Sequence, residues 1–241
     1  MNVHDIIIID REKVELSDIL MDEENHFAIH QLIKEYKYID ELKKYGLPVN
    51  NKVLLYGSSG CGKTTTAKAI ANSLGKPLNI LSLSNVVQSR IGETSQNLKK
   101  VFDKVARENS VLFLDEFDQI GKMRSIDDRD VGEIRRLVNT LIQLIDYLPE
   151  KALLISATNH LEILDKALVR RFQVVVKFEM PNKNSLNDYY DKILISMPKN
   201  LTNIKRKYDI SFAEAKDYAF TTVKSLLIEE LEGEFQNQQV E

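Results

Sequence analysis

The chain alternates short runs rich in Val, Ile and Leu with longer segments in which apolar residues recur every three or four positions. The apolar runs are "KVLLY" at 52–56, "LNILSL" at 78–83, and one each within 110–118, 152–159 and 173–178. Runs rich in Val, Ile and Leu that are separated by helices are typical of a parallel sheet covered on both faces. The pattern therefore predicts an α/β fold with a five-stranded parallel sheet flanked by helices.

The helical segments divide the chain into three regions. Helical apolar stripes run through 24–45, 64–74, 94–108 and 131–148, between the predicted strands. From residue 182 onwards only helical patterns remain, and the last residues, "GEFQNQQVE", are polar and predicted to fray. We therefore expect an N-terminal arm and helix at 1–50, an α/β core at 51–181 and a small helical lid at 182–241. The aliphatic run Ile6–Ile9 is predicted to be a strand or a docking arm.

A glycine-rich segment joins the first predicted strand to the helix after it. It reads "GSSGCGKTT" and contains Gly57, Ser58, Ser59, Gly60, Cys61, Gly62, Lys63, Thr64 and Thr65. The spacing matches a phosphate-binding loop, in which glycines let backbone N–H groups face phosphate oxygens at a helix N-terminus. Lys63 would then reach the β- and γ-phosphates, and the Thr64 hydroxyl would be a Mg²⁺ ligand. The alternative is a plain glycine turn, which the strand–loop–helix context disfavours.

Two acidic residues follow the third predicted strand. In "VLFLDEFD" the four apolar residues end at Asp115 and Glu116, so both acids emerge at the carboxyl end of a buried strand. Ligands bind at this edge in open α/β sheets. Asp115 is the candidate Mg²⁺ ligand, and Glu116 is the candidate base that polarises the attacking water. The alternative is a strand end capped by two solvated acids.

With these two motifs the chain resembles the AAA family of ATPases, within the AAA+ superfamily. "SATN" is similar to the segment that senses the γ-phosphate, which implies this role for Asn159. "LDKALVRRF" resembles the segment that carries arginine fingers, here Arg170 and Arg171, and leaves open which of the two is the principal finger. "LSDIL" is similar to the segment that lines the adenine pocket, which implies Ile19 and Leu20.

The same resemblance implies an assembly and a reaction. The expected cofactors are ATP and Mg²⁺, and the expected assembly is a homo-oligomeric ring, a hexamer, with hydrolysis of ATP to ADP and phosphate at subunit interfaces. The segment after residue 88 resembles the central-pore loop, with Arg90, Ile91 and Gly92 as candidates. Arg90 stands where many threading members have an aromatic residue. The chain looks like a small, free-standing bacterial type without a fused effector domain, which implies a protein client or a separately encoded effector such as a protease.

Composition narrows the classes of function. The net charge of −3 provides no basic surface for wrapping nucleic acid. The single cysteine, Cys61, excludes an intrachain disulfide and fits a reducing compartment, and no run is long enough to span a membrane, so we expect a cytoplasmic protein. The leading hypothesis is an ATP-driven remodeller of a protein partner. A nucleotide-switch scaffold that controls an effector and a nucleic-acid loader are the alternatives.

Overall fold

The computed structural model describes residues 7–10, 12–83, 91–122 and 131–238. Its strands are β1 (Ile8–Asp10), β2 (Lys52–Gly57), β3 (Leu78–Ser82), β4 (Val111–Asp115), β5 (Leu153–Thr158) and β6 (Val174–Phe178). Its helices are α1 (Glu23–Lys37), α2 (Ile39–Lys44), α3 (Lys63–Ser73), α4 (Ile91–Glu108), α5 (Gln119–Lys122), α6 (Val131–Asp146), α7 (Lys166–Val169), α8 (Lys183–Leu194), α9 (Lys199–Thr202) and α10 (Phe212–Gln238). Short 3₁₀ turns lie at Leu16–Asp18 and Leu161–Ile163.

The strands form one sheet in the order β1-β3-β4-β5-β2-β6, in which every pair is parallel except β1 with β3. The α/β class and the five parallel strands are confirmed, but the predicted count is wrong by one. The additional strand, β1, is three residues long and pairs antiparallel with β3 at the edge of the sheet. It is held there partly because Lys68 on α3 pairs with Asp10 and Glu12, at 2.8 and 2.6 Å.

Both faces of the sheet are covered by helices. On one face the apolar stripes of α4 and α6 form a continuous core with strand residues such as Leu112 and Leu154. The alternate strand residues, for example Phe113 and Ile155, are also fully buried, and α3 contacts both β4 and β5. This two-sided burial explains why the strands are continuously apolar rather than alternating.

Two helical boundaries differ from the predicted ones. The single helix predicted for 24–45 is divided at Tyr38 into α1 and α2. The tail predicted to fray remains helical as far as Gln238, because Glu and Gln, although polar, are good helix formers.

Within the described segments, none of the helices has the length and apolar composition that a bilayer-spanning helix requires.

The chain divides into two compact units. Among the residues that the structure describes, those within 1–57 and 63–178 form the larger unit, and those within 58–62 and 179–241 form the smaller. The smaller unit has its own apolar core, in which α8 and α10 pack around fully buried Leu186 and Tyr190. Its helix α8 begins at an N-cap, Asn182, whose side chain accepts a hydrogen bond from the backbone of Ser185.

Gly57 is required by the close pairing of β2 with β6. Its φ is +128°, and a Cβ atom built on it would lie 2.0 Å from the carbonyl oxygen of Phe178, its register partner. Gly75 also has a positive φ, +61°, but a Cβ there would meet no atom of the described part of the chain within 4 Å, its two chain neighbours apart. The two positions therefore separate a steric requirement from a purely conformational one.

We predict that Gly57→Ala destabilises the fold much more than Gly75→Ala. Gly75→Ala should lower the free energy of unfolding by about 1–2 kcal/mol, the cost of a left-handed conformation for an L-residue. Gly57→Ala should lower it by several kcal/mol because β2 or β6 must also move. Urea denaturation of the two variants measures both values, and equal losses would contradict the steric explanation.

Candidate functional site

Polar residues converge at the carboxyl edge of the parallel strands. The register aligns Ser82 of β3 with Asp115 of β4, and Tyr56 of β2 with Thr158 of β5. Strands that run in the same direction end at the same edge, so the residues that follow them emerge side by side. In the larger unit this edge brings together the ends of β3, β4 and β5 with the start of α3, which is the region where the sequence places its acids and its lysine.

The phosphate-loop residues adopt the backbone conformations that their glycines permit. Gly57, Gly60 and Gly62 all have positive φ values, +128°, +72° and +103°. Residues 58–62 belong to the smaller unit, where the Ala213 N–H donates to the Gly60 carbonyl at 3.1 Å. Cys61 in this segment is buried, with its Sγ 3.5 Å from the Ser59 carbonyl oxygen. The proposed role of these residues in binding phosphate stays a prediction.

Lys63 begins helix α3 at the end of this loop. Its side chain is only 8% exposed, and its ammonium donates to the Gly57 carbonyl oxygen at 2.8 Å. The next residue, Thr64, is half-buried in the first turn of α3, and Thr65 is exposed. A buried ammonium beside a helix N-terminus creates a site of positive potential that favours an anion.

Asp115 is the half-buried carboxylate at the last position of β4. Burial raises the pKa of the Asp115 carboxyl, and the Glu116 and Asp118 carboxylates raise it further. A hydrogen bond from the Glu116 backbone and the positive charge of Lys63 oppose this rise. The ionised form of Asp115 therefore depends on nearby positive charge, of which Lys63 supplies part.

Glu116 has an unusual backbone conformation that directs it out of the strand. Its φ is +54°, in the left-handed region that non-glycine residues seldom adopt. Its backbone N–H donates to Asp115 Oδ1, and its exposed carboxylate accepts a hydrogen bond from the Ser82 hydroxyl at 2.9 Å. This arrangement fixes the Glu116 carboxylate at the edge of the sheet, while leaving it further lone pairs to accept a proton.

The remaining predicted catalytic residues occupy different surroundings. Asn159 follows β5 directly and is exposed at the same edge. Arg171 donates to the Ala167 carbonyl at 2.8 Å and pairs with Asp146 at 3.4 Å. Arg170 is exposed, and its side chain makes no hydrogen bond or ion pair with any residue that the structure describes.

The adenine and pore candidates are less defined by contacts. Ile19 and Leu20 are half-buried, directly after the 3₁₀ turn Leu16–Asp18 that contacts α3. Arg90 lies outside the described residues, and Ile91 and Gly92 are the first two residues of α4. Their assignments stay predictions.

The oxygen donors at this edge suit Mg²⁺. A carboxylate and a hydroxyl, here those of Asp115 and Thr64, are hard ligands of the kind that this cation prefers. Over the described ranges, no group of three or more His, Cys, Asp and Glu side chains is arranged to hold a metal ion. Mg²⁺ is usually bound through one or two protein ligands, with water and substrate phosphates completing its coordination.

Sequence reasoning missed three residues that form hydrogen bonds at this edge of the sheet, namely Ser82, Asp118 and Thr158. The Ser82 hydroxyl donates a hydrogen bond to the Glu116 carboxylate, and the Thr158 hydroxyl donates one to Asp118 at 3.0 Å. Ser82 and Thr158 are the last residues of β3 and β5, and Asp118 follows the end of β4 by three residues, so the position of each near this edge was available from the pattern. The pairing was not, because hydrogen bonds between neighbouring strands depend on register, which the apolar runs do not specify.

The comparisons with known proteins now identify the family. The family described as "ATPase family associated with various cellular activities (AAA)" matches residues 53–180, more than half of the chain. The chain belongs to the AAA family of ATPases. The match extends from the second residue of β2 to just beyond β6, and so includes all five parallel strands.

Individual AAA relatives are similar over most of this chain. An uncharacterized AAA family ATPase, y4kL, of Sinorhizobium fredii is 34% identical over 88% of this chain and 65% of its own length. A proteasome-activating nucleotidase of Sulfurisphaera tokodaii is 31% identical over 92% of this chain and 58% of its own. The ATP-dependent zinc metalloprotease FtsH of Lachnoclostridium phytofermentans is 33% identical over 75% and 33%, respectively. The chain thus spans less than two thirds of the length of each of these relatives.

Proposed function

We propose that this AAA protein binds ATP with Mg²⁺ and hydrolyses it to ADP and phosphate. The observation that carries the proposal is the convergence of three side chains at one edge of the sheet: Lys63 at the start of α3, Asp115 at the end of β4, and Glu116, whose backbone N–H donates to Asp115 Oδ1 at 2.9 Å. A cation-binding carboxylate, a phosphate-binding ammonium and a candidate base are the groups that phosphoryl transfer to water requires. Family membership supports the same reaction.

Each side chain has a distinct role in this proposal. The backbone of residues 57–65 and the Lys63 ammonium would hold the phosphates, with Ile19 and Leu20 against the adenine. Thr64 and Asp115 would hold Mg²⁺, which when bound neutralises charge on the β- and γ-phosphate oxygens. Glu116 would orient a water molecule and accept its proton, while Asn159 would contact the γ-phosphate.

The first test separates nucleotide binding from hydrolysis. Glu116→Gln should bind ATP with wild-type affinity but turn over about 10²–10⁴ times more slowly, because the amide cannot accept the proton. Lys63→Ala should lose ATP binding. A fluorescent ATP analogue measures affinity, and phosphate release measures turnover.

A matched control uses an acid at the amino ends of the strands, away from the proposed site. Glu150 lies just before the first residue of β5 and pairs with Lys43, whereas Glu116 follows the last residue of β4. Glu150→Gln should leave both affinity and turnover unchanged. If Glu116→Gln turned over as fast as Glu150→Gln, Glu116 would not be the base.

We further propose that the protein acts as a homo-oligomeric ring, a hexamer, in which an arginine of one subunit completes the site of the next. Resemblance to the AAA family supports the ring, and the different surroundings of the two arginines favour Arg170 as the residue that crosses the interface. Arg171 is already engaged by Ala167 and Asp146, whereas Arg170 is exposed. A guanidinium that stabilises transition-state charge contributes about 10³–10⁵ in rate in other phosphoryl-transfer systems.

The two arginines should therefore differ when each is replaced alone. Arg170→Ala should lower turnover by at least about 10³-fold with little effect on ATP affinity. Arg171→Ala should lower it less and should reduce thermal stability, because the bonds to Ala167 and Asp146 are lost. Mixing Arg170→Ala with Glu116→Gln subunits should restore part of the activity, since some interfaces then contain one intact Glu116 and one intact Arg170. No recovery on mixing would contradict action across an interface.

The proposed partner is a protein rather than a nucleic acid. One relative is named as a proteasome-activating nucleotidase and another as an ATP-dependent metalloprotease, which supports remodelling of a protein client or control of a separately encoded effector. The net charge of −3 gives no support to a nucleic-acid partner.

A further inference from the structure

A buried carboxylate that the proposed reaction does not use lies three residues beyond Asp115. Asp118 is 3% exposed, and its Oδ1 accepts a hydrogen bond from the Thr158 hydroxyl at 3.0 Å. Thr158 is 1% exposed and is the last residue of β5. The bond therefore links the turn after β4 to the end of the neighbouring strand, inside the larger unit.

The Thr158 hydroxyl also holds the backbone on the far side of Asn159. Its oxygen accepts the His160 backbone N–H at 3.0 Å. Because an ionised carboxylate can only accept hydrogen bonds, the Thr158 hydroxyl must donate to Asp118. The hydroxyl oxygen then uses a lone pair to accept from the His160 N–H. A second bond between the same two segments, from the Phe117 N–H to the Ala157 carbonyl, is 2.8 Å long.

These bonds are made by the chain neighbours of Glu116 and Asn159, the two residues that are proposed to act at the γ-phosphate. Glu116 precedes Phe117, and Asn159 lies between Thr158 and His160. We propose that Asp118 and Thr158 are positioning residues that fix Asn159 relative to Glu116. The inference rests on the proposed ATPase function and adds to it the groups that set its catalytic geometry.

The physical reason is the precision that such a site requires. A misplacement of about 1 Å can lower a rate by about 10²-fold. Both Glu116 and Asn159 are exposed residues directly after strands, so the packing of their own side chains does little to hold them. The buried hydrogen bond between Asp118 and Thr158 instead fixes the backbone segments that carry Glu116 and Asn159 relative to each other.

The test removes the hydroxyl while keeping the shape of the side chain. Thr158→Val should lower kcat for ATP hydrolysis by about 10–100-fold with little change in ATP affinity. Thr158→Ser, which keeps the hydroxyl, should recover kcat to within a factor of about three of wild type. If circular dichroism shows that Thr158→Val does not fold, Thr158→Ala is used in its place, because it removes the same hydroxyl without adding an apolar group.

Ser156 provides the matched control. It lies two positions earlier in β5, is fully buried, and its hydroxyl has no hydrogen-bond partner among the described residues. Ser156→Ala should therefore leave kcat unchanged. A loss of kcat in Ser156→Ala equal to that in Thr158→Val would show only that β5 tolerates no change, and would overturn the inference.

A double substitution separates positioning from general structural damage. In an Asn159→Ala background, Thr158→Val should lower kcat by no more than about twofold, because the residue through which it acts is gone. If it lowered kcat by the same factor in both backgrounds, Thr158 would not act through Asn159. Failure of the underlying function gives a different result, namely a wild-type protein that does not hydrolyse ATP or a Glu116→Gln variant that does so at full rate.

Discussion

The structure depends on the hydrogen-bonded register of the parallel strands. Each of the strands β3, β4 and β5 is mostly apolar and ends at the same edge, so Ser82, Asp115 and Thr158 emerge together. Burial on both faces makes this register costly to change, because a slip of one residue would exchange the side chains of two close-packed faces, and both would have to repack. The sheet is therefore a rigid support that holds Glu116 and its neighbours at a defined spacing.

The groups at this edge differ in how firmly they are held. Glu116 is fixed by its own strained backbone and by Ser82, and the turn that carries it is bonded to β5 through Phe117. The arginines lie in a separate segment between α7 and β6, where Arg171 is bonded and Arg170 is exposed. This contrast supports the proposal that a neighbouring copy of the chain supplies Arg170 to the nucleotide site.

The sequence predicted the features that burial dictates and missed those that depend on pairing. Continuous apolar runs located the five parallel strands, and the phosphate-loop motif located the turn between β2 and α3. Strand β1, which includes Ile8 and Ile9, was not counted because an aliphatic run as short as Ile6–Ile9 does not distinguish a strand from an arm. The Asp118–Thr158 bond was missed because register, unlike periodicity, cannot be read from one segment alone.

The central claim is that one chain holds the nucleotide and a second chain is needed to hydrolyse it. The most direct measurement is turnover per subunit as a function of protein concentration, with the oligomeric state determined in the same samples by mass photometry. The account predicts that turnover rises together with the assembled fraction and is negligible for the monomer. A monomer that hydrolyses ATP at the same rate per subunit as the assembled protein would contradict it.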